Sequence, residues 1–419
     1  MTNSADLAIN GGPKTIQEPL PDFKNATGRS FGDEEIRELR DVLDRGALAY
    51  ICGTKVGEFE QAFAQTYGAK HAVSASSGTA ALHIAMLYLN PEPGDEVMTS
   101  PITDMGAAIP VMAQLAIPVF VDVRKEDQNI DPEKIEAAIS PRTKAIMVTH
   151  IYGNPADMDA IMAIAEKHKL FVIEDCAQAH LTRYKGKLVG TLGHLGCFSF
   201  QQSKHMTTGD GGMVISNDDS RFGRELRLCM DKAWPRNKGG RDHLFLAPNY
   251  HMTELQAAVG IAQLRKLPGL VDARRRAGDR LSQRLSSCRG VQPIAVDPSH
   301  IPTYFFYSFT IDLETLSTDG PAFVAALNAE GVNCFLGYPG KIPLYKYPVI
   351  REAKTFGTSG LPFTLAAPGR NWNYDDALCP IAEQLCRQTV CLWWNEKLNN
   401  THVEEISNAI QKVADAFRH

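Results

Sequence analysis

Apolar positions along the chain keep two different rhythms. Between residues 33 and 43, Ile36, Leu39, Val42 and Leu43 recur at helical spacing, with Asp33 ahead of them as a cap. A second helical stripe covers residues 56–67. From residue 72 the pattern changes to short apolar runs at 72–74, 96–100, 119–123, 145–149 and 170–174, which read as strands. The stretches between them, from Thr79 onward and at 105–115, 132–139 and 158–168, read as helices. This βαβα alternation predicts an α/β fold with a mostly parallel central sheet covered on both faces. Two further strands are expected at 195–200 and 213–215, and a helix at 224–230. Thr253 caps a helix over 255–267 that Pro268 should end, and a charged helix over 270–287 bridges into a second lobe. There a strand at 305–311 mixes with helices at 321–330 and 402–417. The expected division is a large domain, 1–268, which includes an N-terminal arm, and a small α+β domain, 269–419.

Composition narrows the function classes. A chain of 419 residues with 44% apolar and 22% charged residues can bury a sizeable core. Its formal net charge of −5 speaks against a nucleic-acid partner. The most apolar long run, 106–123, is broken by Pro110, Gln114 and Pro118, so no membrane span is expected. The first residues lack a basic segment followed by an apolar one, which reads as no signal peptide. Nine cysteines without a CxxC pair fit a reducing, cytoplasmic setting and no metal site.

Three stretches carry candidate chemistry. Ser76-Ser77-Gly78-Thr79 stands between a strand and an Ala/Leu-rich helix. Free N–H groups and small hydroxyls there suit a phosphate, although Ser and Thr also cap helices for structural reasons alone. Asp175 leaves the end of a strand, with Gln178 three residues on. Asp175 either caps the next turn or pairs with a protonated ring nitrogen; Gln178 either bonds the backbone or orients a neighbouring oxygen. Lys204 lies in a polar turn before Thr208-Gly209-Asp210-Gly211-Gly212. A lysine between two strands, beside a loop of glycines, suits Schiff-base chemistry and equally suits a surface hairpin.

Seven ordered segments raise the combination above its parts: SSGTAAL (76–82), PVFVDV (118–123), HIYGNPADM (150–158), EDCAQAH (174–180), YKGKLVG (184–190), FSFQQSKHMTTGDGG (198–212) and NYHMTELQAAVG (249–260). Through them the chain resembles the DegT/DnrJ/EryC1/StrS family of sugar and cyclitol aminotransferases, on the fold-type I pyridoxal-phosphate scaffold. The resemblance implies that Lys204 holds pyridoxal 5'-phosphate as a Schiff base and shuttles protons. Asp175 would pair with the pyridine nitrogen and Gln178 with the phenolic oxygen. Ser77, Gly78, Thr79 and Ser199 would hold the phosphate, and Asn249 would reach the phosphate of the neighbouring subunit in a homodimer with shared active sites. The implied reaction is ping-pong amino transfer from glutamine or glutamate to a keto-sugar or keto-cyclitol. LAINGGPK (7–14) and GYPGK (337–341) resemble the inosose aminotransferases.

Two positions depart from the family pattern. Asp104 stands where an aromatic residue usually covers the coenzyme ring, which leaves Met105 as the candidate cover, and His251 replaces a usual arginine. The alternatives are the family's dehydratase branch, in which histidine replaces the lysine (His205 follows Lys204), and a non-catalytic regulator on the same scaffold.

Overall fold

The protein is represented by a computed structural model that describes residues 4–217, 225–236, 240, 242–367, 374 and 378–418. Strands β1 (His71–Ala75), β2 (Glu96–Thr99), β3 (Ile117–Phe120), β4 (Thr143–Thr149) and β5 (Phe171–Asp175) precede a small hairpin, β6 (Arg183–Tyr184) and β7 (Lys187–Leu188). Strands β8 (Leu195–Ser199) and β9 (Gly212–Ser216) follow. The seven strands outside the hairpin form one sheet in the order β1-β9-β8-β5-β4-β2-β3. β9 runs antiparallel to both its neighbours, and every other adjacent pair is parallel.

Alternation along the strands explains the layering. Ala145 and Met147 of β4 face one apolar cluster and Ile146 and Val148 the other, so both faces of the strand are buried. Helices α1 (Asp33–Arg45), α2 (Lys55–Tyr67), α3 (Gly78–Leu89), α4 (Ile109–Ala113), α5 (Pro132–Ala138), α6 (Met158–His168), α7 (Leu226–Met230) and α8 (Glu254–Leu285) belong to this part of the chain. Helices α3, α4 and α7 cover one face; α2, α5, α6 and the first half of α8 cover the other. Each fully buried aliphatic or aromatic side chain in these layers contributes about 1.5–3 kcal/mol.

Beyond α8, strands β10 (Val291–Pro293), β11 (Phe306–Ile311), β12 (Cys334–Leu336) and β13 (Thr389–Trp393) form an antiparallel sheet in the order β10-β11-β13-β12. The helices here are α9 (Gly320–Ala329), α10 (Pro348–Arg351), α11 (Pro380–Gln388) and α12 (Asn400–Ala416). A separate core joins this sheet to α9, α12 and the second half of α8, and a further cluster links Phe120 and Tyr152 to Phe305, Phe306 and Tyr345.

Several expected boundaries move. α8 runs unbroken through Pro268. Its first half is pinned by Ala257, Ile261 and Leu267 in one core and its second by Ala277, Leu281 and Leu285 in the other. Burial at both ends outweighs the ~3 kcal/mol that an interior proline costs. The helix expected at 105–115 divides into a 3₁₀ turn at Met105–Ala107 and α4. α1 is capped at Gly32, whose N–H donates to Glu35 Oε2 at 2.8 Å, and not by Asp33. Arg224 and parts of the 234–241 loop lie outside the described residues. Among the described residues no helix is long and apolar enough to cross a membrane.

Candidate active site

The site forms beyond the carboxyl ends of β1, β2, β5 and β8, where open parallel sheets leave a crevice. β1 leads directly into α3, and Ser77 caps that helix by accepting the Ala80 N–H at 3.0 Å. The loops here are pressed together. A Cβ on Gly78 would lie 2.6 Å from Ser199 Cβ, and one on Gly212 would lie 2.2 Å from the Ser77 carbonyl oxygen. Gly106 packs less tightly on the Thr79 hydroxyl, which lies 3.0 Å from the position a Cβ would take.

β5 delivers two acids with opposite destinations, as the pleat requires. Glu174 points into the protein. It accepts the N–H groups of Gly190 (2.7 Å), Leu192 (2.8 Å) and Gly193 (2.6 Å), and His150 Nε2 lies 3.0 Å from it. His150, Glu174 and Cys176 are close enough together to suggest metal ligands. With Glu174 so occupied, and His150 Nδ1 accepting the Ala156 N–H at 3.1 Å, the trio reads as a structural knot. Asp175 points toward the crevice. Its Oδ1 accepts the Ala177 N–H at 3.1 Å and its Oδ2 the Thr149 hydroxyl at 3.5 Å. Among the described residues no cation lies within ion-pair distance of it. Burial therefore pushes its carboxyl above the usual range, and the Ala177 N–H and Lys204 pull back. Gln178 does bond the backbone: its Oε1 accepts the Tyr152 N–H at 2.9 Å.

The turn between β8 and β9 is tied to itself. Phe200 N–H donates to the Gly211 carbonyl (2.8 Å) and Thr208 N–H to the Phe200 carbonyl (3.0 Å). Gly209 and Gly211 adopt φ of +87° and +155°, where a side chain would be strained. Gln201 Oε1 accepts both the N–H and the hydroxyl of Ser203, and the Gln201 carbonyl accepts the Lys204 N–H at 2.9 Å. Lys204 keeps an edge open to the crevice, while its ammonium sits 4.1 Å above the Phe305 ring. Desolvation there lowers its pKa to about 8, against the opposing pull of Asp175 and Asp104. His205 faces the other way, fully buried, with Nε2 donating to the Thr303 carbonyl at 3.0 Å.

One cavity of about 410 Å³ brings together Ser77, Gly78, Thr79, Asp175, Ser199 and Lys204. Gln178 lies behind its wall. Asn249 stands apart, exposed, with Oδ1 accepting the His251 N–H at 3.0 Å. Phe305, Phe306, Tyr338 and Trp393 form the wall that faces the first sheet, none of them singled out from the sequence. Phe305 and Phe306 read only as part of the strand at 305–311, and only the GYPGK similarity touches Tyr338. Asp104 lines the cavity, whereas Met105, the expected cover, packs into the inter-sheet cluster and does not line it. In a cleft of about 480 Å³ between α2 and β1, Arg227 Nη2 lies 2.6 Å from Glu60 Oε2.

The profile of the DegT/DnrJ/EryC1/StrS aminotransferase family matches residues 29–411. The chain belongs to this aminotransferase family. A putative L-glutamine:3-amino-2,3-dideoxy-scyllo-inosose aminotransferase from Streptoalloteichus tenebrarius is 32% identical over 426 residues, covering 99% of this chain and 100% of the relative. GDP-perosamine synthase from Caulobacter vibrioides is 40% identical over 319 residues, 75% of this chain and 83% of the relative. The crystal structure of 3-amino-5-hydroxybenzoic acid synthase superposes with a TM-score of 0.83 at 28% identity, over 94% of this chain and 98% of that one. An aminotransferase from Psychrobacter cryohalolentis gives 0.82 at 29%, over 93% and 98%. The DegT/DnrJ/EryC1/StrS member described here thus has the fold-type I scaffold, and its enzyme class is aminotransferase.

Proposed function

We propose that this chain uses pyridoxal 5'-phosphate to move an amino group from glutamine or glutamate to a ketone on a cyclitol or sugar. The observation that carries the reading is the convergence on one cavity of Lys204, a buried Asp175 with no cation at ion-pair distance among the described residues, and the Ser77-Gly78-Thr79 helix start against Ser199. The chain's residues fit the coenzyme. The α3 N-terminus, with a glycine where a Cβ would meet Ser199, makes an anion cradle. Asp175 is the partner for a ring N–H, and a cation placed there would offset its desolvation. Ser77, Thr79 and Ser199 would hold the phosphate, joined by Asn249 of a second copy in a homodimer.

When bound, pyridoxal phosphate supplies an aldehyde that condenses with amines and a ring that takes up electrons from the substrate carbon. The rest falls to the chain. Lys204 Nζ, with its pKa lowered to about 8, has a sizeable neutral fraction near neutral pH, so it can act as nucleophile and base. It takes the proton from the carbon bearing the amino group and returns a proton from the same nitrogen. Asp175 would keep a proton on the ring nitrogen, and Gln178, whose Oε1 already accepts the Tyr152 N–H, would reach the phenolic oxygen through its amide nitrogen. The aromatic wall shields one side of Nζ, 4.1 Å from the Phe305 ring. A single cavity of about 410 Å³ supports a ping-pong sequence, in which donor and acceptor use one site in turn. In this reading residues 1–268 are the coenzyme-binding domain, and 269–419 supply the facing wall.

The inosose aminotransferase relative, aligned along nearly the whole chain, favours a cyclitol ketone. The perosamine synthase relative favours a nucleotide-linked sugar. The dehydratase alternative loses support because His205 is held in the core by Thr303 while Lys204 meets the cavity. The test is visible absorption of the purified protein with pyridoxal phosphate, then with glutamine or glutamate. A band that bleaches with one donor, is restored by an inosose or keto-sugar, and is missing in Lys204→Ala is the expected outcome. A band that persists in Lys204→Ala, or none in the unaltered chain, refutes the reading.

A further inference from the structure

Behind the lysine turn lies a charge system that the reaction above leaves unused. Arg29, on the N-terminal arm, is 3% exposed. Its Nη1 donates to the main-chain carbonyl of Lys204 at 2.9 Å and lies 4.0 Å from Glu396 Oε2. The same carboxylate oxygen is 3.3 Å from Nη2 of Arg274, a fully buried residue of α8. Arg274 Nη1 in turn donates to the Trp394 carbonyl at 2.8 Å. Two guanidiniums therefore share one carboxylate, and among the described residues Arg29 Nε and Nη2 and Arg274 Nε have no hydrogen-bond partner. Buried donors left unpaired are costly, and native folds retain few of them without a reason.

The arm makes further contacts on both sides of the cavity. Gln202 Nε2, two residues before the lysine, donates to the Phe23 carbonyl at 3.0 Å. The Phe23 ring stacks on Trp393, a residue of the cavity wall, with centroids 4.5 Å apart. Asn395 Nδ2 donates to the Pro21 carbonyl at 2.8 Å. Residues 21–29 thus strap the lysine turn to the end of β13.

We propose that Arg29 is a positioning residue for Lys204. It fixes the lysine carbonyl so that Nζ meets the cavity, while Glu396 and Arg274 anchor Arg29 to the second sheet. The turn bearing the lysine and the wall bearing Trp393 then keep a fixed separation. This rests on the reading of Lys204 as the coenzyme lysine.

The experiment compares the full-length unaltered chain with Arg29→Met, Arg29→Lys and Glu396→Gln, and uses Lys204→Ala as control. Three quantities are read: thermal unfolding without coenzyme, the rate of borohydride-trapped pyridoxyl on Lys204 by peptide mass spectrometry, and kcat and KM for the amino-donor half-reaction. Small displacements of a reacting group cost up to about 100-fold in rate. Arg29→Met should therefore trap coenzyme about tenfold more slowly and lose about tenfold in kcat, with KM within about twofold. Arg29→Lys, which keeps a charged donor for the carbonyl, should recover most of both rates. Glu396→Gln, which leaves Arg29 in place but loosens its anchor, should show a smaller loss in the same direction and covers the case in which Arg29→Met does not fold. Unaltered trapping and kcat in the folded variants, whatever their thermal stability, would overturn the proposal. An unaltered chain that traps no coenzyme on Lys204 overturns the functional reading itself, and the positioning role with it.

Discussion

The same exchange, glycine to alanine, should have opposite signs at two helix starts. At Gly57, in the first turn of α2, an added Cβ meets nothing within 4 Å. Alanine there gains helix propensity and restricts the unfolded chain, a stabilisation of about 0.5–1 kcal/mol. At Gly78, the first residue of α3, the Cβ would lie 2.6 Å from Ser199 Cβ, 2.9 Å from its Oγ and 3.3 Å from its Cα. The Oγ can rotate away, but the Cβ and Cα are fixed to β8, which lies inside the sheet between β9 and β5. The start of α3 must therefore move, and overpacking of this kind costs about 1–3 kcal/mol. That exceeds the propensity gain, so the two variants should differ by about 1–3 kcal/mol, with Gly78→Ala the less stable. Because the displaced N–H groups are the proposed phosphate cradle, Gly78→Ala should also weaken binding of pyridoxal phosphate, whereas Gly57→Ala should not. Urea unfolding of the coenzyme-free protein and a spectroscopic coenzyme titration read both effects. Equal stabilities together with equal affinities would refute the close-packing argument and the cradle.

Other expectations follow from buried charge. Below about pH 8 the folded chain holds the Lys204 ammonium in a desolvated place that the unfolded chain does not impose; between about 8 and the ordinary 10.5 the unfolded state binds more protons, so stability rises with pH. Lys204→Met should thus raise the urea midpoint of the coenzyme-free protein at pH 7, and the gain should fade by pH 10; a loss at pH 7 contradicts the assigned environment. Glu254, 1% exposed at the start of α8, accepts the N–H groups of Lys55 (2.7 Å) and Val56 (3.2 Å) and so caps α2 from a distance. Glu254→Ala should destabilise by about 1–3 kcal/mol in the same unfolding assay, because two buried N–H groups lose their acceptor; a change below a few tenths would show that water replaces it. Asp175→Asn should leave the fold intact and abolish bleaching of the coenzyme band by the amino donor, since an amide does not hold a proton on the ring nitrogen; donor bleaching at the unaltered rate would remove Asp175 from the mechanism.

The sequence alone was enough for the parts of this protein that short-range physics controls. Short, nearly continuous apolar runs with helical stripes between them placed the parallel sheet, because each strand must bury both its faces and each helix one of them. Ser77, Gly78, Asp175 and Lys204 were legible because strand-to-helix and strand-to-strand turns need small, capping or glycine-rich residues at fixed offsets. Tertiary structure decided the rest. Pro268 should have ended a helix on local grounds, yet two separate cores hold α8 straight through it. Met105 was the expected cover and Asp104 the gap, but the turn at 105–107 sends the methionine into the inter-sheet cluster and leaves the acid at the cavity. The aromatic wall comes from residues 305, 306, 338 and 393, and Arg29 reaches Lys204 across 175 positions. No local pattern encodes such meetings. They exist only once burial of distant apolar faces has folded the second sheet and the arm against the first, and that is a property of the whole chain.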